Sequence, residues 1–168
     1  MKHIIIKGIG PDEAGIVARI SGIVTSNNGN IEESRMIRLG SEFSIIMMIS
    51  IPSEFESNLS DNLESIDGIK FYLTETKKLP SNDTPTHTIH LTGGDTEGIV
   101  HKMSDVLTSM GINIIEIITD TVNAPITGAT IFQMTAKINL DKTSSSDLSD
   151  RLKRLEKKLG LDITLDSI

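Results

Sequence analysis

The 168 residues are 38% apolar, with no apolar run near the ~20 residues of a membrane helix, which describes a folded globular protein. With 16 basic against 23 acidic residues the net charge is −7, which argues against a phosphate-neutralising surface, and 3% aromatics leave little for base stacking. Cysteine is absent, so disulfides, thiolate catalysis and Cys-ligated metals are excluded together, and MKHIIIKGIGPDE breaks its apolar run too early for a signal peptide, making the cytoplasm the expected compartment.

Residues 3–9 are β-branched and predict a buried strand running into the turn Gly10-Pro11-Asp12-Glu13-Ala14-Gly15. Apolar residues at 16, 17, 20, 23 and 24 then form one helical face, ended by Asn27-Asn28-Gly29. A strand follows from Asn30 to about Leu39. Simple alternation puts Ile31, Glu33, Arg35, Ile37 and Leu39 on one face and Glu32, Ser34, Met36 and Arg38 on the other, and charges on both faces predict an edge strand. Phe43 to Ile51 is apolar on both faces and predicts an interior strand. After Pro52, Ser53 to Glu56 fits a capping box, with a helical stripe at Phe55, Leu59, Leu63 and Ile66. Asp67-Gly68 turns the chain into a strand with Ile69, Phe71 and Leu73 inward, completing the order β-α-β-β-α-β.

KKLPSNDTPT, residues 77–86, predicts a linker, after which the order repeats. GPDEAGIV at 10–17 returns as GGDTEGIV at 93–100, an offset of 83, and Ile16, Ile20 and Val24 fall on Ile99, Met103 and Leu107. Asn30-Ile31 falls on Asn113-Ile114. Strands are expected at 87–92, 113–122 and 129–138, with helices over 97–110, closed by Gly111, and along Leu148, Leu152, Leu155 and Leu159. Leu161, Ile163 and Leu165 close the second sheet. Asn123 to Gly128 lengthens the second hairpin. The expectation is an α+β chain of two tandem ferredoxin-like modules, 1–78 and 86–168 with a linker at 79–85, each a four-stranded antiparallel sheet with both helices on one face. Exposed edge strands and the half-covered sheets predict side-by-side pairing between modules and a homodimer.

These turns resemble the D-x-x-G-[IL] turn of the ACT domain, a ferredoxin-like module that binds amino acids and regulates metabolism. The matching residues are Asp12, Gly15, Ile16, Asn30 and Ile31, and in the second copy Asp95, Gly98, Ile99, Asn113 and Ile114. Two such modules in tandem, with APxTGxxxFxM from Ala124 to Met134, are similar to the glycine cleavage system transcriptional repressor group. Ala14 and Glu97 depart from the proline that the family favours before the glycine, and Thr130-Ile131 from Pro-Leu. The resemblance implies a non-catalytic regulatory protein that binds a small amino acid through Asp12, Ala14, Gly15, Ile16, Asn30 and Ile31, and through Asp95, Glu97, Gly98, Ile99, Asn113 and Ile114. It implies control of a transcription factor or, in the alternative, of a biosynthetic enzyme as its free-standing regulatory subunit.

The chemistry of such a site is independent of the family. Backbone N–H groups at a helix start attract a carboxylate, a glycine lets it approach closely, and an asparagine carbonyl from another module accepts from the ammonium group. Against this, Asp12 and Asp95 are good N-caps whatever is bound, and the glycines serve helix-to-sheet packing equally well. Other chemistry is weakly signalled. His87 and His90, three apart in a strand, point to opposite faces and make a poor chelate, so no metal and no cofactor are expected. Lys153, Arg154, Lys157 and Lys158 crowd the last helix, where cations suit the C-terminal dipole and solvent ahead of a docking patch. No Gly-x-Ser-x-Gly elbow, phosphate loop or Rossmann glycine set appears, and the acidic first turn lacks the arginine of acylphosphatase-like hydrolases, so neither an enzyme nor direct nucleic-acid binding is expected.

Overall fold

A computed structural model of the chain describes residues 1–77, 84–125, 128–140 and 145–168. The chain divides into two compact units, Met1–Leu79 and Pro80–Ile168. In the first, β1 (Lys2–Pro11), α1 (Ile16–Ser26), β2 (Asn30–Leu39), β3 (Glu42–Ile51), α2 (Glu56–Glu64) and β4 (Lys70–Thr76) follow in sequence. The sheet order is β2-β3-β1-β4, all antiparallel. In the second, β5 (His87–Gly94), α3 (Ile99–Ser109), β6 (Ile114–Asn123), β7 (Thr130–Ile138), α4 (Ser145–Leu159) and β8 (Leu161–Ser167) build the order β6-β7-β5-β8, again antiparallel. Both are the expected ferredoxin-like modules, and α1 and α3 begin and end 83 residues apart. The predicted linker at 79–85 lies largely outside the described residues.

Each module buries its own core between helices and one sheet face. In the first, Ile4 and Ile6 of β1 and Ile45, Met47 and Ile49 of β3 meet Ile16, Ile20 and Val24 of α1 and Leu59 and Leu63 of α2. In the second, Ile89, Leu91, Met134, Ala136 and Ile138 meet Ile99, Met103 and Leu107 from α3 and Leu148, Leu152 and Leu155 from α4. Each fully buried aliphatic side chain contributes roughly 1.5–3 kcal/mol, so these stripes supply the main drive to fold. The helical stripe is narrower than expected: Val17 is 43% and Val100 38% exposed, because burial at 16, 20 and 24 recurs every fourth residue and leaves position 17 at the solvent edge.

The expected alternation of β2 is corrected by a bulge. Its register with β3 shifts between Ile31 and Glu33, leaving Glu32 as the extra residue. Ile31 faces the core, but beyond the bulge the inward positions are Ser34 and Met36, and Ile37 and Leu39 face the open side of the sheet at 48% and 68% exposure. The same shift recurs between Ile114 and Glu116 of β6, 83 residues on, so the bulge was duplicated with the module. As expected, β2 is an edge strand and β3 an interior one.

The capping box at Ser53 is a second correction. Ser53–Phe55 forms a 3₁₀ turn, no side chain caps it or α2, and Glu56 turns away to accept a 2.8 Å bond from Lys2 Nζ. Glu75 lies 3.2 Å from the same ammonium. The ammonium with its two carboxylate partners ties β1 to α2 and β4, whereas a local box would take Glu56 out of this network.

Hydrogen bonds to Glu56 and Glu75, with their charges, raise the Lys2 pKa above its ordinary value. A cation whose folded pKa is raised stabilises the fold fully below its unfolded pKa, and that contribution disappears as pH rises through the folded pKa. Lys2→Met is therefore expected to melt below the parent protein at neutral pH and to converge with it at strongly alkaline pH. Melting curves from pH 7 upward check this, and a gap that stays constant would refute it.

Candidate functional site

The repeated turn is built by backbone geometry at two points. Asp12 N–H donates to Ser41 O at 2.9 Å, anchoring the end of β1 to the β2–β3 turn, and Asp95 N–H donates to Thr130 O at 3.2 Å. Gly15 (φ +86°) and Gly98 (φ +78°) are then the residues from which α1 and α3 start, in a left-handed conformation that favours glycine. Asp12 and Asp95 are therefore not the N-caps: neither helix start has a side-chain cap, and neither first turn contains an acid.

The result is a pair of bare helix starts. Arg19 N–H bonds back to Gly15 O and Lys102 N–H to Gly98 O, each at 3.0 Å; ahead of them Ile16 N–H donates to Glu13 O at 3.3 Å, and the remaining first-turn N–H groups have no intrahelical acceptor. Among the described residues, chain neighbours aside, no atom lies within 4 Å of where a Cβ on Gly15 would stand, and at Gly98 only Lys102 Cε comes near, at 3.9 Å. Partial positive charge faces open space there, a setting that favours a carboxylate. In the turn leading into α1, Glu13 pairs with Arg19 of the helix at 3.0 Å, and the Asp12 carboxylate stands 3.8 Å from Arg38 Nη1.

The other predicted residues are not all beside these turns. Ala14 and Glu97 are exposed next to the glycines, whereas Ile16 (3%) and Ile99 (2%) are buried in the cores and offer only backbone to a ligand. Asn30 and Asn113 are exposed, with Ile31 and Ile114 half-buried behind them. Asn30 follows α1, so the 11 residues of that helix, about 16 Å long, separate it from Gly15. The helix start and the asparagine of one module therefore stand too far apart to meet on one small molecule.

Among the described residues no group of three His, Asp or Glu is arranged to hold a metal. His87 Nδ1 lies 3.0 Å from Thr86 Oγ1 and His90 Nδ1 3.2 Å from Thr135 Oγ1, on opposite faces of β5. A cleft of about 410 Å³ in the first module is lined by Ser53, Glu56, Ser57, Ser60 and Leu73, and one of about 460 Å³ in the second by Val106, Arg151, Arg154, Leu155 and Lys158. Neither includes a predicted turn residue. The open face of the first sheet carries Ile9, Ile37, Leu39, Ile46 and Tyr72, all exposed. Sequence reading expected an open sheet face but not Ile37 and Leu39 on it, because the bulge moved those two there. It missed the second cleft although positions 151, 154, 155 and 158 share one helical face. No described helix is long and apolar enough to cross a membrane.

The chain thus holds two consecutive ferredoxin-like modules, each with an uncapped glycine helix start, and residues 2–67, in the first of them, match the model of the ACT domain family. A narrower similarity is to the glycine cleavage system transcriptional repressor of Escherichia coli (strain K12), 44% identical over 48 residues. That stretch covers 29% of this chain and 25% of the repressor, so only about a quarter of the curated relative's length is matched. A crystal structure of an unknown protein from Galdieria sulphuraria superposes with a TM-score of 0.88 at 29% identity, covering 99% of this chain and 98% of that one. Another, of a protein provisionally identified as a glycine cleavage system transcriptional repressor, superposes with a TM-score of 0.70 at 20% identity, covering 99% and 97%, and shares the fold.

Proposed function

We propose that this chain is a non-catalytic regulator that binds a small amino acid at an ACT module interface and thereby controls a protein partner, in the regulation of glycine cleavage or amino-acid metabolism genes. The observation that carries the reading is the pair of bare helix starts at Gly15 and Gly98 with open space in front of them. Their N–H groups hold the ligand carboxylate. Its ammonium group is held by Asn30 or Asn113 of another module, since Asn30 lies a helix length from its own module's glycine. The ligand favours the docked arrangement it bridges, by as much as it binds that arrangement better than others. A homodimer belongs to the same reading: the apolar open face of the first sheet is the kind of surface that a second copy removes from water.

Calorimetry of the twenty amino acids against the full chain, with light scattering on the same samples, tests this. One small amino acid is expected to bind a dimer. Gly15→Ala and Gly98→Ala together are expected to weaken it by about tenfold or more, because a Cβ enters the approach to the N–H groups. Silence from all twenty would remove the ligand. Capture of a metabolic enzyme in place of a transcription factor would move the regulation from genes to flux.

A further inference from the structure

The last helix carries more positive charge than its position explains. In α4, Lys157 and Lys158 sit in the final turn, where cations suit the helix dipole, but Arg151 and Arg154 stand further up. Arg151, Arg154, Leu155 and Lys158 share one face at i, i+3, i+4 and i+7 and line the cleft of about 460 Å³ against Val106 of α3. Arg151 is held in place: its Nη1 donates to Ser109 Oγ at 3.1 Å, and that hydroxyl donates to Val106 O at 2.8 Å. Among the described residues no carboxylate lies within ion-pair distance of Arg151, Arg154 or Lys158. The floor is apolar, from buried Leu155 and half-buried Val106. In the first module α2, ESNLSDNLE, has no lysine or arginine, so the duplicated halves differ here.

We propose that this α3–α4 groove docks an acidic segment of a protein partner, with carboxylates on Arg151, Arg154 and Lys158 and an apolar side chain over Val106 and Leu155. From residue 151 to 158 the helix rises about 10 Å, the reach of two or three carboxylates on one side of a helix or strand. A nucleic acid fits less well. Its phosphates leave the apolar floor unused, and a chain of net charge −7 repels a polyanion outside the immediate patch. The inference rests on the reading that the chain acts through a protein partner, and it gives that partner a chemistry and a place.

Fluorescence anisotropy of the full chain with a labelled peptide of Asp, Glu and Leu tests it, beside the same peptide with Asn and Gln, and duplex DNA. The acidic peptide is expected to bind, more weakly as salt rises, and Arg151→Gln with Arg154→Gln to weaken it roughly tenfold. Lys153→Gln with Lys157→Gln, off the groove, is expected to change it less than about twofold. All these positions are exposed, and circular dichroism confirms the fold of each variant. No peptide binding, equal loss from both pairs, equal binding of the amide peptide, or DNA binding as tightly through the same arginines would overturn the proposal. Amino-acid calorimetry on the unmutated chain, beside the peptide titration, separates the two readings. An intact calorimetric response with no peptide bound defeats the groove alone, and peptide binding without any amino-acid response defeats the ligand alone.

Discussion

Gly10→Ala is expected to destabilise the first module by about 3 kcal/mol, at the upper end of what overpacking costs. In β1, Gly10 passes directly over the loop into β4: a Cβ there meets the carbonyl oxygen of Gly68, with Ile69 Cα at 2.9 Å and Gly68 C at 3.0 Å. All three are backbone atoms, so no rotamer change relieves the clash and the α2–β4 loop must move. The repeat provides its own control. At Gly93, 83 residues on, the first atom met is Leu161 Cδ2, the end of a side chain that can turn away, with Leu161 Cα at 3.2 Å. Gly93→Ala should therefore cost clearly less, about 1 kcal/mol. Urea unfolding of both variants reads the difference, and equal costs would show that backbone contact is not what makes Gly10 necessary.

Leu59→Ala should remove about 2–5 kcal/mol, the cost of emptying a fully packed site. Leu59 is 0% exposed and fills the space between α2 and the inner face of the first sheet. That is a large share of the stability of a small domain, which is typically about 5–15 kcal/mol in all. Val17→Ala, on α1 at 43% exposure, should stay within about 0.5 kcal/mol and lean toward stabilising, since alanine is the better helix former. Chemical denaturation followed by circular dichroism compares the two. A Val17 cost as large as that of Leu59 would mean that another surface covers α1.

Legibility differed by kind of feature. Elements built on a strong period read correctly: α1 and α3, interior β3, and the leucines of α4, because burial of one helical or strand face is written directly in residue order. The faces of β2 did not. One bulged residue reverses every later side chain, and nothing in NIEESRMIRL marks Glu32 as extra. Caps misled for a related reason. Asp12 and Ser53 are residues that cap well, but whether they do depends on where the helix begins, and α1 begins at Gly15 while Glu56 is drawn to Lys2.

The sequence by itself determined the duplication, the ferredoxin-like order of both modules, and the two glycine turns, because apolar periodicity and glycine's freedom are properties of residues and their spacing. Only the tertiary structure decided which surfaces remain open: the bare helix starts, the apolar back of the first sheet, and the cationic groove between α3 and α4. Exposure is set by what else packs nearby, and that depends on strand register and ion pairs between residues far apart in the chain.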